Sequence, residues 1–490
     1  DSHSIGFFAQ GRLKTIAASG GSVREVAFTT DPRGGSWSPN GTILFGTGPG
    51  GMFRVPDAGG EKPLAVGKLD VSLQEGSHRW PSFLPDGTHF LFNLRSGLAE
   101  HRGVYVGSLD GATPKFLENA DSGALYANGY LLFVNGGMLL AHAFDEKNLQ
   151  LSGQTVAVVD GVRHPSNTYI PVSASRNGVL AYSNGVLNPS GQLTWVDHEG
   201  TPRNSVSAEG VYTDFRLSHD EKRLAASLLS PKTGNVDVHI TDLTQGNRTQ
   251  QFTFGPALNA GAIWSRDDAF VAFRTNRNGG MVEIYQKSSA GGGNEEPVIL
   301  KDALTASGVQ TLNLLLTDWS PDGQYVLYCT SASSGSKLWL LPIAGEKKPS
   351  LYRESTAEIM HASFSPNSHL LAYTSNESGQ FEVWVETVPR SDKKKQISIE
   401  GGYEPRWSAD GSEIYFLSRD RKLMAVKVEP NFSFGSTRTL FQTRVAQGVD
   451  PYNMHYLPSR DGRFLMNIQI SEPPPTPITI VLNWTQGLKQ

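Results

Sequence analysis

Twelve side chains in this 490-residue chain have the chemistry of a binding or reaction site and share one place in the sequence, just ahead of a recurring turn. They are His78, Arg79, Tyr169, Tyr212, Asp214, His361, Tyr403, Glu404, Arg406, Tyr452, Asn453 and His455. Imidazole exchanges protons near neutral pH, a carboxylate beside it can orient the ring, guanidinium grips oxyanions with a planar fork, and tyrosine offers a rigid ring with a polar tip. A purely structural repeat needs none of these at that place. They are therefore candidates for contacting a ligand or partner, with ordinary polar rim positions as the competing reading for any one of them.

The spacings that concentrate catalysis are missing. No Gly-x-Ser-x-Gly stands between a strand and a helix, so a serine hydrolase is not expected. The 12 histidines show neither His-x-His nor His-Glu-x-x-His spacing, and the single cysteine, Cys329, excludes a multi-thiolate site and an internal disulfide. Cys329 lies in an apolar run and reads as a small buried side chain. Asn276-Arg277-Asn278-Gly279-Gly280 has oxygen-rich turn chemistry but falls short of a calcium loop. No catalytic residue, metal or cofactor is expected. A net charge of −4 gives no electrostatic footprint for nucleic acid. Lys393-Lys394-Lys395 reads as a solvated turn. No stretch approaches the roughly 20 apolar residues of a membrane helix, so no insertion is expected within this segment.

The elements that must position the twelve candidates follow from the turn itself. Trp37-Ser38-Pro39-Asn40-Gly41, Phe83-Leu84-Pro85-Asp86-Gly87, Trp319-Ser320-Pro321-Asp322-Gly323 and Trp407-Ser408-Ala409-Asp410-Gly411 are its clearest copies. Weaker ones include Leu217-Ser218-His219-Asp220, Trp264-Ser265-Arg266-Asp267 and Phe364-Ser365-Pro366-Asn367. From Asp1 to Asp461 the Asp/Asn position recurs in ten intervals of 39 to 55 residues, with a mean of 46. β-branched and aromatic runs such as Thr42-Ile43-Leu44-Phe45 and Tyr325-Val326-Leu327-Tyr328 follow the turns, and a second apolar run follows each. Strand, turn, strand, loop, strand, turn, strand at this period is the pattern of a four-stranded propeller blade. The repeated Trp and Phe are read as packing between sheets, and the Asp as accepting hydrogen bonds within the turn.

Eleven units exceed one ordinary ring. The expected fold is all-β: two tandem β-propellers of four-stranded antiparallel blades, about six each, the first incomplete at its N-terminus. The division expected is 1–206 and 207–490, with a seven-plus-five split as the alternative. The opening Asp1-Ser2-His3-Ser4 reads as a repeat cut just before its turn, hence as part of a longer polypeptide, and the closing segment reads as a natural end.

These units resemble TolB-like and WD-like bacterial propeller repeats over essentially the whole chain. A narrower resemblance rests on residues 1–8 with Gly11-Arg12-Leu13-Lys14, on Ser77-His78-Arg79-Trp80-Pro81-Ser82-Phe83, on Gly103-Val104-Tyr105-Val106 and on Asn483-Trp484-Thr485-Gln486-Gly487. It is to the C-terminal, extracytoplasmic propeller region of bacterial transmembrane serine/threonine protein kinases. That resemblance implies an extracytoplasmic sensory part, tethered through a preceding membrane helix. The kinase's own motifs are not in this chain: His78-Arg79 and His101-Arg102 are followed by Trp80 and Gly103, not by aspartate. The expected function is non-catalytic binding of a protein or peptide partner, or of a small ligand. A propeller enzyme (hydrolase or lyase) with a polar channel site is one alternative. A structural or assembly module recruiting a chain at a strand edge is the other.

Overall fold

Each recurring turn closes because serine and aspartate side chains take up the backbone donors that a tight reversal leaves open. Ser320 Oγ donates to Asp322 Oδ1 at 2.5 Å, and Gln324 N donates to the same oxygen at 3.0 Å. Gly323 supplies a φ of 75°, which a side chain would adopt only with strain. Asp86, Asp410 and Asp461 accept backbone N–H bonds in the same way, as the sequence predicts. At two turns that lack the glycine, a carboxylate at its place reaches the preceding turn instead. Asp268 accepts from His219 N and Asp220 N, and Glu221 accepts from Arg460 N and Ser459 Oγ.

The computed structural model describes residues 3–9, 11–29, 32–47, 50–70, 72–73, 75–96, 98–162, 169–175, 177–183, 190–230, 235–255, 257–277, 282–299, 304, 314–332, 335–446, 453–470 and 477–488. Asp1 and Tyr452 lie outside them. The named elements are β-strands, apart from three short 3-10 helices at Ala99–His101, Pro430–Phe432 and Trp484–Leu488. The fold is that of a β-propeller, built of antiparallel sheets of mostly four strands. No helix among the described residues is long and apolar enough to cross a membrane.

Contacts divide the chain into two units, Asp1–Leu187 with Pro473–Gln490, and Asn188–Glu472. The second unit is a closed ring. Its innermost strands are Val211–Leu217, Asn259–Trp264, Leu314–Trp319, Ile359–Phe364, Tyr403–Trp407 and Tyr456–Pro458, and each touches the next. Met454 N, just ahead of the last, donates to Thr213 O of the first at 3.0 Å and completes the circle. One sheet is composite: Pro202–Ser205 and Gly191–Val196 form its outer half, and Phe464–Gln469 and Tyr456–Pro458 its inner half. The first unit also has a composite sheet, in which Ile478–Leu482 pairs with Val179–Ser183. Its other described sheets begin with Ser4–Ala9, Pro32–Trp37, Glu75–Phe83 and Ala124–Ala127, the first of them having three described strands.

The division expected at 206/207 therefore differs from the one observed. Residues 188–206 go with the second unit and 473–490 with the first. Strands from both ends of a segment share one sheet, so the ring is latched by backbone hydrogen bonds and two exposed strand edges are removed.

The core sits between successive sheets, where the repeated aromatics were expected. Trp319 packs with Ile263 and Ala272 of the preceding sheet and with Val326 and Tyr328 of its own. Phe364 packs with Leu327 and Leu338, and Trp407 with Ala372 and Val383. The indoles also tie neighbours together: Trp264 Nε1 donates to Arg216 O, and Trp407 Nε1 to Ser363 O, both at 3.0 Å. Cys329 is buried, which pushes its thiol up to about 12. The basic run is not a turn: Lys394–Gln396 is a strand, with Lys394 Nζ 4.3 Å from the Trp384 ring centre and paired with Glu377.

Candidate binding site on the inner strands of the second unit

Among the described residues, seven innermost strands of the two units carry a bulge at a similar point of the repeat. The pairing register slips between Pro32 and Gly35, Arg79 and Ser82, Tyr212 and Asp214, Ala260 and Ile263, Leu316 and Asp318, Met360 and Ser363, and Tyr403 and Arg406. Five of these bulges hold a residue in the left-handed region: Gly34, Trp80, Gly261, His361 and Glu404. A bulge turns a side chain that would face along the sheet toward a new direction. Glycine accepts that backbone without strain, whereas Trp80, His361 and Glu404 hold it at φ values of 54°, 51° and 54°. Strained non-glycine residues of this kind are kept where the surrounding packing fixes them, often beside a site.

In the second unit the bulges bring together charged groups from different strands. Asp214 Oδ1 accepts from Ser227 Oγ at 2.8 Å and Asp214 Oδ2 from Gly261 N at 3.1 Å, reaching the bulge of the next strand. Asp318 repeats the device, accepting from Phe364 N at 2.8 Å and Trp319 N at 2.9 Å. Glu404 is fully buried, accepts from His455 N at 2.8 Å and is paired with His455 Nδ1. Its backbone carbonyl accepts from the Tyr456 hydroxyl at 2.8 Å. Each carboxylate is thus spent on the strand that follows it round the ring.

The guanidinia of Arg216 and Arg406 meet at the Met454 sulfur in the interior of that ring. Arg216 donates to Thr317 O at 3.1 Å. Thr317 lies two strands away round the ring, so this bond crosses the interior rather than linking neighbours. Arg216 also touches the Met454 sulfur and donates to Phe215 O at 3.1 Å. Arg406 donates to Pro405 O at 3.1 Å and approaches the same sulfur at 3.5 Å. Burial, with Arg406 nearby, pushes the Arg216 guanidinium down to about 9 against the pull of Asp214, Asp318 and Glu404, so it stays cationic at neutral pH. Burial pushes Asp318 up, although Phe364 N and the two arginines oppose it. Glu404 is held low despite burial, chiefly by His455. His361 is only 7% exposed and is pushed down to about 3 by burial, so its ring is neutral. Its Nδ1 makes no hydrogen bond.

The candidates read from sequence divide accordingly. Asp214, His361, Glu404, Arg406 and His455 meet in this interior. Tyr212 does not serve there: it packs in the core with Leu193, Phe215 and Leu224, and its hydroxyl donates to Ala208 O at 2.8 Å. Tyr403 lies beside Phe381, with ring centres 5.9 Å apart, and Asn453 is half-buried just ahead of Met454. His78, Arg79 and Tyr169 belong to the first unit. There His78 Nε2 is 3.1 Å from Glu75 Oε2, Arg79 Nε donates to Ser77 Oγ at 2.7 Å, and Tyr169 packs edge-on to Trp80. Arg216 and Asp318 were not singled out, yet the signal was present: each stands one residue before the repeat's aromatic or apolar position, as Arg406 does before Trp407. Among the described residues no group of three or more His, Cys, Asp or Glu is placed to hold a metal ion.

No family model matches the chain, and no curated protein does. Solved structures do. A putative TolB from Agrobacterium tumefaciens is 18% identical, with 59% of this chain and 100% of that one covered and a TM-score of 0.45. TolB from Acinetobacter baumannii is 14% identical, with 65% and 82% covered and a TM-score of 0.41. An oligogalacturonate lyase in complex with manganese is 11% identical, with 78% and 86% covered and a TM-score of 0.32. Likeness at such identities concerns fold alone, and the chain is similar to these proteins as a propeller.

Proposed function

We propose that the chain is a non-catalytic propeller module that binds a protein, peptide or small ligand at the inner-strand cluster of its second unit. One observation supports this above the rest: Arg216, His361 and Arg406 reach one interior from three different inner strands, and Arg406 Nε and His361 Nδ1 have no hydrogen-bond partner there. Burying polar groups costs free energy unless they are satisfied, so such a cluster is retained for contact with something else. The Glu404–His455 pair favours the second reading, an enzyme, because a carboxylate that orients an imidazole is how a general base is made. Against it, both side chains are essentially fully buried and Glu404 is saturated by His455.

The resemblance of the repeats to propeller regions of bacterial receptor kinases supports an extracytoplasmic, sensory setting. Affinity capture from the native source, with mass spectrometry of whatever is retained, tests both points. A partner lost on His361→Ala in a chain that still folds is the expected result. A partner retained by His361→Ala and Arg406→Gln alike would remove this site from the reading. Recovery of the natural polypeptide with a kinase sequence ahead of the propeller is expected, and a polypeptide without one would end the receptor-kinase setting.

A further inference from the structure

Arg216 and Arg406 occupy equivalent places in the repeat and both meet the Met454 sulfur in the second unit's interior. Neither has a carboxylate within ion-pair distance among the described residues, and their donors go to backbone carbonyls and to the Met454 thioether, a weak acceptor. Arg406 is 6% exposed, and its Nε has no acceptor. The neighbouring carboxylates are turned to the backbone instead: Asp214 holds Gly261 N, Asp318 holds Phe364 N and Glu404 holds His455 N. The buried Nδ1 of neutral His361 is open as well.

From this we infer that the interior takes the carboxylate group of a ligand between the guanidinia of Arg216 and Arg406, in place of Met454. The inference rests on the binding reading above and names the ligand chemistry. A planar carboxylate matches the guanidinium fork and supplies the strong acceptor both side chains lack. Methionine is unbranched and flexible, so its side chain can yield the place. Three carboxylates already stand within electrostatic reach of Arg216. With three negative charges already there, every further one is resisted, so a singly charged carboxylate is favoured over a phosphate dianion. A free organic acid and a peptide C-terminus share this chemistry.

The test uses the full chain and four probes: succinate, a random tetrapeptide pool with free C-termini, the same pool amidated, and inorganic phosphate. Binding is read by calorimetry and by the rise in melting temperature, for wild type, Arg406→Met, Arg216→Gln and the remote control Arg12→Gln. Expected is a carboxylate preference of at least tenfold over the amide or phosphate, lost in Arg406→Met and Arg216→Gln and kept in Arg12→Gln. Succinate and the free-acid pool together tell an organic acid from a C-terminus. Arg406→Met without ligand should melt at or above the wild-type temperature, because a buried cation lacking a counter-ion is removed. An amide bound as well as the acid, and unaffected by either variant, overturns this inference while leaving the binding reading intact. No binding by any probe, or tighter binding of phosphate, overturns it too. A large fall in the melting temperature of ligand-free Arg406→Met assigns the arginine to the fold instead.

Discussion

His361 keeps its ring neutral at the cost of acid stability. Its charge neighbours are Glu404, which favours the protonated form, and Arg406, Arg216 and His455, which oppose it together with burial. The folded pKa of about 3 lies below the ordinary histidine value of about 6.5. Between those values the unfolded chain binds a proton that the folded one refuses. The contribution is therefore complete above pH 6.5 and falls as pH drops through that window. From pH 7.5 to 5 the loss assigned to this side chain is about 2 kcal/mol. Chemical denaturation at the two pH values should show His361→Gln losing less than wild type by about that amount. Equal losses would mean that the ring is hydrated in the folded state. Glu404, held low, adds a separate loss only below about pH 4.5, so the two windows can be told apart. His361 and Glu404 stood out in the sequence because they are polar just ahead of the repeat's turn, where other copies carry small or apolar residues. Arg216 and Asp318 escaped because Arg216 precedes a turn whose aromatic is replaced by Leu217, and Asp318 reads as one more polar residue beside Trp319.

The repeating element was the most readable level of the chain, since turn chemistry acts over five residues and needs no distant partner. Its exceptions are informative too. Ser368 stands where Gly323 and Gly411 stand in other turns, and holds a φ of 60° with its own N–H donated to Ser365 O. Unlike Asp268 and Glu221, whose carboxylates clasp a neighbouring turn, its side chain has no described bond that offsets the strain. Ser368→Gly should therefore stabilise the protein by about 1 kcal/mol, measured as a shifted denaturation midpoint. A loss of stability would mean that the larger conformational freedom of glycine in the unfolded chain outweighs the relief. The bulges of the inner strands lay beyond sequence reading, because a one-residue register slip changes pairing without changing which residues look apolar.

At the scale of the whole molecule, sequence spacing yielded the repeating sheet but not how the sheets close on one another. A strand such as Ile478–Leu482 looks the same whether its partner is the adjacent hairpin or one far back in the chain; here it is Val179–Ser183. Trp484 follows that strand, is 5% exposed and packs against Leu132, Leu180 and the ring of Tyr130. Trp484→Ala should cost about 3–5 kcal/mol in the first unit and leave the second unchanged, which segment-resolved hydrogen exchange can distinguish. Uniform loosening of residues 188–472 would contradict the observed division into units. The interleaving also fixes an order of events during synthesis. When residue 472 leaves the ribosome, every described strand of the second unit has been made, while the first unit still waits for a partner to Val179–Ser183. Of these two units, the one that starts earlier is therefore completed later, and until then its sheet presents an open strand edge on the nascent chain.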